Sequence, residues 1–158
     1  MSSISGTLGN LWRRLAPLPG GPWLFSRIFG RFVPYSGSVG ATIRTLEPGY
    51  CRVTLRDRRR VRNHLDSIHA VALVNLGEMT SGLAMTMALP DSIRGIVTEI
   101  GAVYLKKARG ALVAEARVTV PAVSTEPVDF RVETSITDAS GTEVCRVHTV
   151  WRLSKRRS

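Results

Sequence analysis

The stretch VRNHLDSIHAVALVNLGEMTSGLAMTMALP, residues 61–90, decides the fold of this chain. From Ile68 onward nearly every residue is apolar or small, and the pattern predicts a long helix that Pro90 ends. We expect Asp66 or Ser67 to cap its start. Because apolar residues occupy nearly all sides of this helix, the rest of the chain must cover it. Glu78 stands near its middle as the only acidic residue.

A run of this length is also long enough to span a bilayer. His69, Asn75 and Glu78 lie within it, however, and a carboxylate at the centre of a membrane is costly. The first 30 residues contain no clear signal peptide, because Pro and Gly interrupt their apolar runs. We therefore expect a globular cytoplasmic protein with a buried central helix.

Alternating apolar residues predict strands on both sides of the helix. Residues 37–57 are typical of a hairpin that turns at Glu47-Pro48-Gly49. Four further strands are predicted at about 95–106, 111–120, 128–138 and 143–154. Six strands and one apolar helix predict an α+β fold, in which an antiparallel sheet wraps around the helix.

Two short amphipathic segments, at about 7–15 and 22–32, come before the first strand. The predicted organisation is an N-terminal helical segment, residues 1–32, followed by one domain, residues 33–155. The apolar residues of the first segment either pad the core or touch a membrane surface, and padding is favoured: Trp12, Leu15, Trp23, Leu24 and Phe25.

Cys51 and Cys145 each lie in an alternating segment, which predicts buried residues on strands. This favours reduced thiols and an intracellular compartment, although neighbouring strands would permit a disulfide. His64 and His69 are five residues apart and would not share a helix face, so we expect no metal site.

The order of elements resembles the hotdog fold. Residues 62–78, RNHLDSIHAVALVNLGE, resemble the Asn…His-Gly-Gly…Asp/Glu signature of small hotdog acyl-CoA thioesterases. The chain is similar to the phenylacetate-pathway type and to the related DUF4442 group over about residues 33–153. The resemblance implies hydrolysis of an acyl-CoA thioester without a cofactor. It also implies a homodimer, and in this family two such dimers often associate into a tetramer.

Four residues match this signature: Asn63, His69, Ala70 and Glu78. Ala70 stands where the family usually has Gly, whose backbone N–H faces the thioester oxygen. The first turn of a helix carries unpaired N–H groups and partial positive charge, which suits an oxyanion. Glu78 is expected to have a raised pKa in apolar surroundings and to act as base or nucleophile, two routes that stay open.

The eight-residue spacing has a geometric consequence. Ala70 and Glu78 are separated by about 12 Å of helix rise, so one carbonyl cannot contact both in one chain. Two antiparallel copies of the helix would bring them together, and the predicted site therefore needs a dimer.

Basic residues precede the helix and end a later strand: Arg58, Arg59, Arg60, Arg62, Lys106 and Lys107. At the mouth of a pocket they would suit the phosphates of coenzyme A. Each of them could also be a solvated surface residue. Met79 and Leu83 face either a substrate pocket or the core.

The alternative function is a non-catalytic acyl or lipid carrier that associates with membrane surfaces, motivated by Ala70 and the N-terminal segment. The net charge of +10, from 22 Lys and Arg against 12 Asp and Glu, favours anionic partners in general. Nucleic acid is not expected, because no recognition motif accompanies this charge. The nucleophile elbow, the phosphate loop and the dinucleotide-binding motif are also missing from the sequence.

Overall fold

A computed structural model of the chain describes residues 4–156, and this part begins with three helices. These are α1 (Ile4–Leu15), α2 (Gly21–Phe32) and the short α3 (Pro34–Gly37). Gly20 adopts a left-handed backbone with φ 74°, which lets the chain reverse between α1 and α2. The two predicted amphipathic segments thus lie within α1 and α2.

The remaining elements follow the predicted order of two strands, one long helix and four strands. They are β1 (Thr42–Glu47), β2 (Tyr50–Leu55), a 3-10 turn (Arg59–Val61), α4 (Ala70–Ala88), β3 (Ile93–Tyr104), β4 (Leu112–Arg117), β5 (Val128–Thr137) and β6 (Glu143–Lys155). The strands form one antiparallel sheet in the order β1-β2-β4-β5-β6-β3. The predicted α+β architecture is confirmed.

The long helix α4 packs closely against the sheet. A Cβ at Gly77 would collide with the side chain of Val147 on β6, so glycine permits the close approach there. Two buried hydrogen bonds also join helix and sheet: the Thr134 hydroxyl donates to the Gly77 carbonyl at 3.1 Å, and the Thr149 hydroxyl donates to Ser81 Oγ at 3.1 Å. These contacts fix the rotation of α4 and so determine which way its other faces point.

The start of α4 differs from the prediction. His69 is the N-cap residue, and neither Asp66 nor Ser67 caps the helix. Ile68 forms an antiparallel bridge with Arg62, and its N–H donates to the Ala108 carbonyl at 2.8 Å. Because residue 68 is held in this extended pairing, the helix cannot begin before it.

The N-terminal helices cover part of the core. Trp12 and Phe25 are buried and pack edge to face with their ring centroids 5.0 Å apart. Trp23 and Leu24 are exposed, so the expected padding role holds for the first pair and not for these two. None of the helices in residues 4–156 combines the length and the apolar character needed to cross a membrane.

Cys51 and Cys145 are both buried and free. They lie on β2 and β6, which are not neighbours in the sheet, so no disulfide joins them. Burial raises the pKa of both thiols, which keeps them protonated and apolar in character.

Candidate functional site

Glu78 lies midway along α4 as a half-buried carboxylate. Its side chain has no hydrogen bond and no ion pair to any residue between 4 and 156. Desolvation by burial raises the pKa of this carboxyl above that of an ordinary glutamate. A Cβ at Gly82 would lie 3.8 Å from Glu78 Oε1, so the missing side chain leaves open space beside the carboxylate. An unpaired acid with room next to it is available for proton transfer or for attack on a carbonyl.

An apolar cavity of about 550 Å³ opens beside Glu78. Helix α4 contributes Met79 and Leu83 to its wall. For these two residues the sequence left open a pocket or a core position, and in the structure both line this cavity. Phe25 and Phe29 of α2 stand opposite, and Trp151 of β6 closes another side. A cavity of this size and character suits an apolar group of a small ligand.

The amide of Ala70 lies at the first position of α4 and is exposed. It donates no hydrogen bond within the described part of the chain. His69 caps the helix, because its Nδ1 accepts from the Val71 N–H at 3.1 Å. Since Nδ1 is the acceptor, the neutral ring carries its proton on Nε2. The start of α4 therefore presents a free donor, from Ala70, next to an imidazole that holds the first turn in place.

Asn63 organises the loop that leads into α4. Its Oδ1 accepts from the Leu65 N–H at 2.9 Å, from the Ser67 N–H at 3.3 Å and from the Ser67 hydroxyl at 3.2 Å. Asp66 in this tight loop adopts a positive φ of 52°. The oxygen of Asn63 is thus committed to the loop, whereas its Nδ2 makes no hydrogen bond within residues 4–156.

The predicted basic residues do not form one cluster. Arg62 pairs with Asp57 at 2.6 Å, and Lys106 pairs with Asp138 at 3.3 Å. The Asp57 partner also accepts from the Gly110 N–H, so its ion pair with Arg62 helps to hold the loop before α4. Of the other four predicted residues, Arg59 and Lys107 are exposed and line neither of the two cavities, while Arg58 and Arg60 line a second, smaller cavity.

One face of α4 is only partly covered by the chain itself. It runs through Val71, Val74, Glu78, Gly82 and Thr86, which follow each other at helical spacing. Every other side of the helix is packed against the sheet or the N-terminal helices. Val71 at its start is 52% exposed, whereas Glu78, Gly82 and Thr86 line the apolar cavity, so a second molecule could reach this face where α4 begins.

Strand β3 forms an uncovered edge of the sheet. It is 12 residues long, and its apolar side chains Ile96, Ile100 and Val103 are 56, 44 and 54% exposed. Long apolar edge strands are templates for pairing with another strand. The opposite edge, β1, is shorter and contacts α2.

Asn75 is a buried polar residue of α4 that the sequence did not single out as functional. Its Nδ2 donates to the Tyr35 carbonyl at 2.9 Å, which ties α3 to α4. Its Oδ1 is buried without a hydrogen-bond partner in the described residues. A buried acceptor left unpaired is costly, and this one lies three residues before Glu78 on the same helix.

Three features of the site were missed from the sequence. The aromatic wall of the cavity comes from α2, and Arg27 and Arg31 of the same helix line the second cavity. The amphipathic pattern of residues 22–32 was visible, but it does not tell on which side of α4 the helix lies. Trp151 of β6 also lines the apolar cavity, and nothing in its strand pattern distinguishes it from a core residue.

Several solved structures are similar to the chain. A structural-genomics protein matches it with 27% identity and a TM-score of 0.82, over 95% of this chain and 99% of the other. A Pseudomonas aeruginosa protein described as a probable thioesterase matches with 23% identity and a TM-score of 0.76, over 88% and 97%. A hypothetical thioesterase from Streptococcus pneumoniae with coenzyme A matches with 18% identity and a TM-score of 0.65, over 82% and 99%.

The sheet order, the central helix and these similarities define a hotdog-fold protein, as the sequence predicted. No curated protein sequence matches the chain. Residues 21–153 match the family described as "Domain of unknown function (DUF4442)", and the chain belongs to this family.

Proposed function

We propose that the protein is an acyl-CoA thioesterase that hydrolyses a small or medium acyl-CoA or aryl-CoA. The observation that carries this proposal is Glu78, an unpaired carboxylate with a raised pKa on the wall of an apolar cavity. Two similar proteins described as thioesterases, one of them with coenzyme A, support the same class of reaction.

In the proposed reaction the acyl group lies in the apolar cavity and its thioester carbonyl lies near Glu78. As a base, Glu78 takes a proton from water while the water oxygen bonds to the carbonyl carbon. The tetrahedral intermediate then expels the coenzyme A sulfur, and Glu78 returns the proton to the leaving thiol. As a nucleophile, Glu78 would instead bond to the carbonyl carbon and expel the coenzyme A thiolate, which takes a proton from solvent. Water would then hydrolyse the resulting anhydride to the free acid and regenerate Glu78.

The oxyanion of the intermediate needs a hydrogen-bond donor, and we assign the free N–H of Ala70 to this role. Within one chain Ala70 and Glu78 are about 12 Å apart along α4, so the donor must come from a second copy. The proposed enzyme is a homodimer with two equivalent sites, each of which combines Glu78 of one copy with Ala70 of the other.

Two surfaces support this dimer. The partly covered face of α4 offers a contact for the same face of a second, antiparallel helix. The uncovered edge of β3 offers backbone groups for pairing with a second β3. His69 and Asn63 hold the helix start and its loop in position for the donor.

Thiol release from a panel of acyl-CoAs tests the proposal. Glu78→Gln keeps the size of the side chain but removes the base, and we expect it to slow hydrolysis about 100-fold or more. Glu126→Gln is the matched control, because Glu126 is an exposed loop residue that lines neither cavity. Hydrolysis by the Glu78→Gln variant at the rate of the unmodified protein would refute the assigned role.

One observation favours a second candidate function, a lipid carrier that works at membrane surfaces. Trp23 and Phe32 on α2 are 59 and 81% exposed, and Phe32 also lines the apolar cavity. Exposed aromatic residues beside a basic helix suit an anionic bilayer surface. Binding of acyl-CoA without turnover, together with vesicle binding that Trp23→Ala and Phe32→Ala abolish, would favour the carrier over the enzyme.

A further inference from the structure

A second cavity, of about 200 Å³, lies next to the apolar one and has a different character. Two arginines of α2, Arg27 and Arg31, line it together with Arg58 and Arg60 from the segment after β2. No Asp or Glu lines this cavity, and none of the four arginines forms an ion pair in the described part of the chain. Arginines elsewhere in the chain do find carboxylates, as Arg152 does with Asp129 at 2.8 Å.

Glycines shape the backbone around this cavity. Gly30 of α2 and Gly37 of α3 touch so closely that a Cβ on either would press on the other's backbone. Gly40 has a positive φ of 65°, and a Cβ there would collide with the guanidinium of Arg60. Arg58 donates to the Gly40 carbonyl at 3.4 Å. The backbone around this cavity is thus shaped so that guanidinium groups can lie against it.

The four arginines are exposed, so solvent screens part of their mutual repulsion, and a bound anion would remove the rest. Guanidinium groups present paired N–H donors that match the oxygens of a phosphate group. A volume of about 200 Å³ holds a phosphate or diphosphate but leaves no room for a large organic group.

The two cavities adjoin each other. Phe29, Ser36 and Met79 line both, so the two cavities meet at these three residues. Ser36 is buried, and its hydroxyl makes no hydrogen bond within residues 4–156. We propose that Arg27, Arg31, Arg58 and Arg60 bind a phosphate group of an amphiphilic ligand, whose apolar part lies in the cavity beside Glu78.

Two ligands have this chemistry: an acyl-CoA, through a nucleotide phosphate, and a phospholipid, through its headgroup. The assignment to coenzyme A rests on the proposed function, whereas the phosphate site itself does not. Binding is therefore measured with free coenzyme A, which needs no turnover, by calorimetry on the full chain. Dephospho-coenzyme A tests the 3′-phosphate, and sedimentation with phosphatidylcholine vesicles, with and without phosphatidic acid, tests the lipid source.

Arg27→Gln and Arg60→Gln are the test variants, and Arg14→Gln is the matched control. Arg14 lies in the last turn of α1, is exposed and lines neither cavity, so its replacement changes the net charge equally. We expect each test variant to weaken coenzyme A binding about tenfold or more, while the control binds as the unmodified protein does.

Each outcome decides something. Arginine-dependent binding of phosphatidic acid vesicles without binding of coenzyme A would keep the phosphate site and remove coenzyme A from the proposed function. Arginine-dependent binding of coenzyme A without thiol release would keep the site and reject hydrolysis. If Arg27→Gln and Arg60→Gln bind both ligands as Arg14→Gln does, or if the unmodified protein binds neither, the phosphate site is refuted.

Discussion

Ala70 and Glu78 occupy the same helix eight residues apart, with the free amide at its first position and its only carboxylate near the middle. About 12 Å of helix separates them, which is too far for one carbonyl to contact both. Val74 lies midway, four residues from each. If two copies of α4 pack antiparallel around Val74, each Glu78 meets the Ala70 of the other copy.

Val74 is therefore the residue that tests the helix contact. A Val74→Glu substitution would place two carboxylates against each other across the two-fold axis, and we expect it to dissociate the dimer. Sedimentation velocity measures the change in mass. Ala139→Glu, at an exposed turn, adds the same charge and should leave the dimer intact. An unmodified protein that is already monomeric, or a Val74→Glu variant that stays dimeric, would contradict this arrangement.

The raised pKa of Glu78 predicts a specific effect of pH on stability. Because the folded chain favours the protonated carboxyl, this group contributes to the free energy of unfolding. The contribution is fully present below pH 4.5, the ordinary pKa, and is lost as the pH rises through the raised pKa of Glu78. Gln does not ionise, so the Glu78→Gln variant does not lose stability in this way as the pH rises. We expect the variant to melt at a higher temperature than the unmodified protein at neutral pH, and the difference to shrink in mild acid.

Thermal unfolding at a series of pH values measures this difference. Thiol release should show the opposite dependence, because the base must be deprotonated: the rate should rise with pH through the raised pKa of Glu78. A Glu78→Gln variant that is less stable than the unmodified protein at neutral pH would show that the carboxylate has a stabilising partner.

Asn63 offers a way to separate a loop role from a substrate role. Asn63→Ala removes an oxygen that accepts three hydrogen bonds, and we expect it to destabilise the fold by about 1–3 kcal/mol. Asn63→Asp keeps the acceptor, replaces the Nδ2 donor by an oxygen and adds a negative charge. Unfolding in urea and thiol release are measured on both variants. If Asn63→Asp retains stability but loses activity, the reaction depends on the neutral amide of Asn63; if it retains both, the residue serves the loop alone.

Alanine substitutions at two glycines of α4 test how closely the helix packs against the sheet. Gly77→Ala would press a methyl group into Val147, at a cost of about 1–3 kcal/mol. At Gly82 the same methyl would lie 3.6 Å from Trp151, an ordinary contact, so Gly82→Ala should gain up to about 1 kcal/mol from helix propensity. Chemical denaturation measures both changes, and equal stabilities would contradict the close approach of α4 to β6.

Much of the fold could be predicted because its signals are local. Alternation marked the six strands, and the apolar run that includes Glu78 marked the central helix. The helix cap was wrong because the bridge between Arg62 and Ile68, together with the Ala108 contact, depends on tertiary structure. No local pattern places α2 beside Glu78, so its aromatic wall and its two arginines were not foreseen. The sequence also could not show that Arg62 and Lys106 are paired, because their partners Asp57 and Asp138 come near them only in the folded chain.

The shared active site is tested most directly by mixing two inactive variants. Ala70→Pro removes the assigned N–H, and proline is well tolerated at the first position of a helix, where the N–H has no helical partner. His69 already has the extended backbone that a following proline requires. Glu78→Gln removes the acid. We expect each variant alone to release little thiol from an acyl-CoA substrate.

When the two variants are unfolded together and refolded, mixed dimers form. In a mixed dimer one site carries both defects, while the other combines an intact Glu78 with an intact Ala70. Thiol release should therefore return, to about one half of the normal activity per mixed dimer, since one of two sites is intact. If the mixture stays as inactive as its two components although mixed dimers are present, the site is not shared between the two copies.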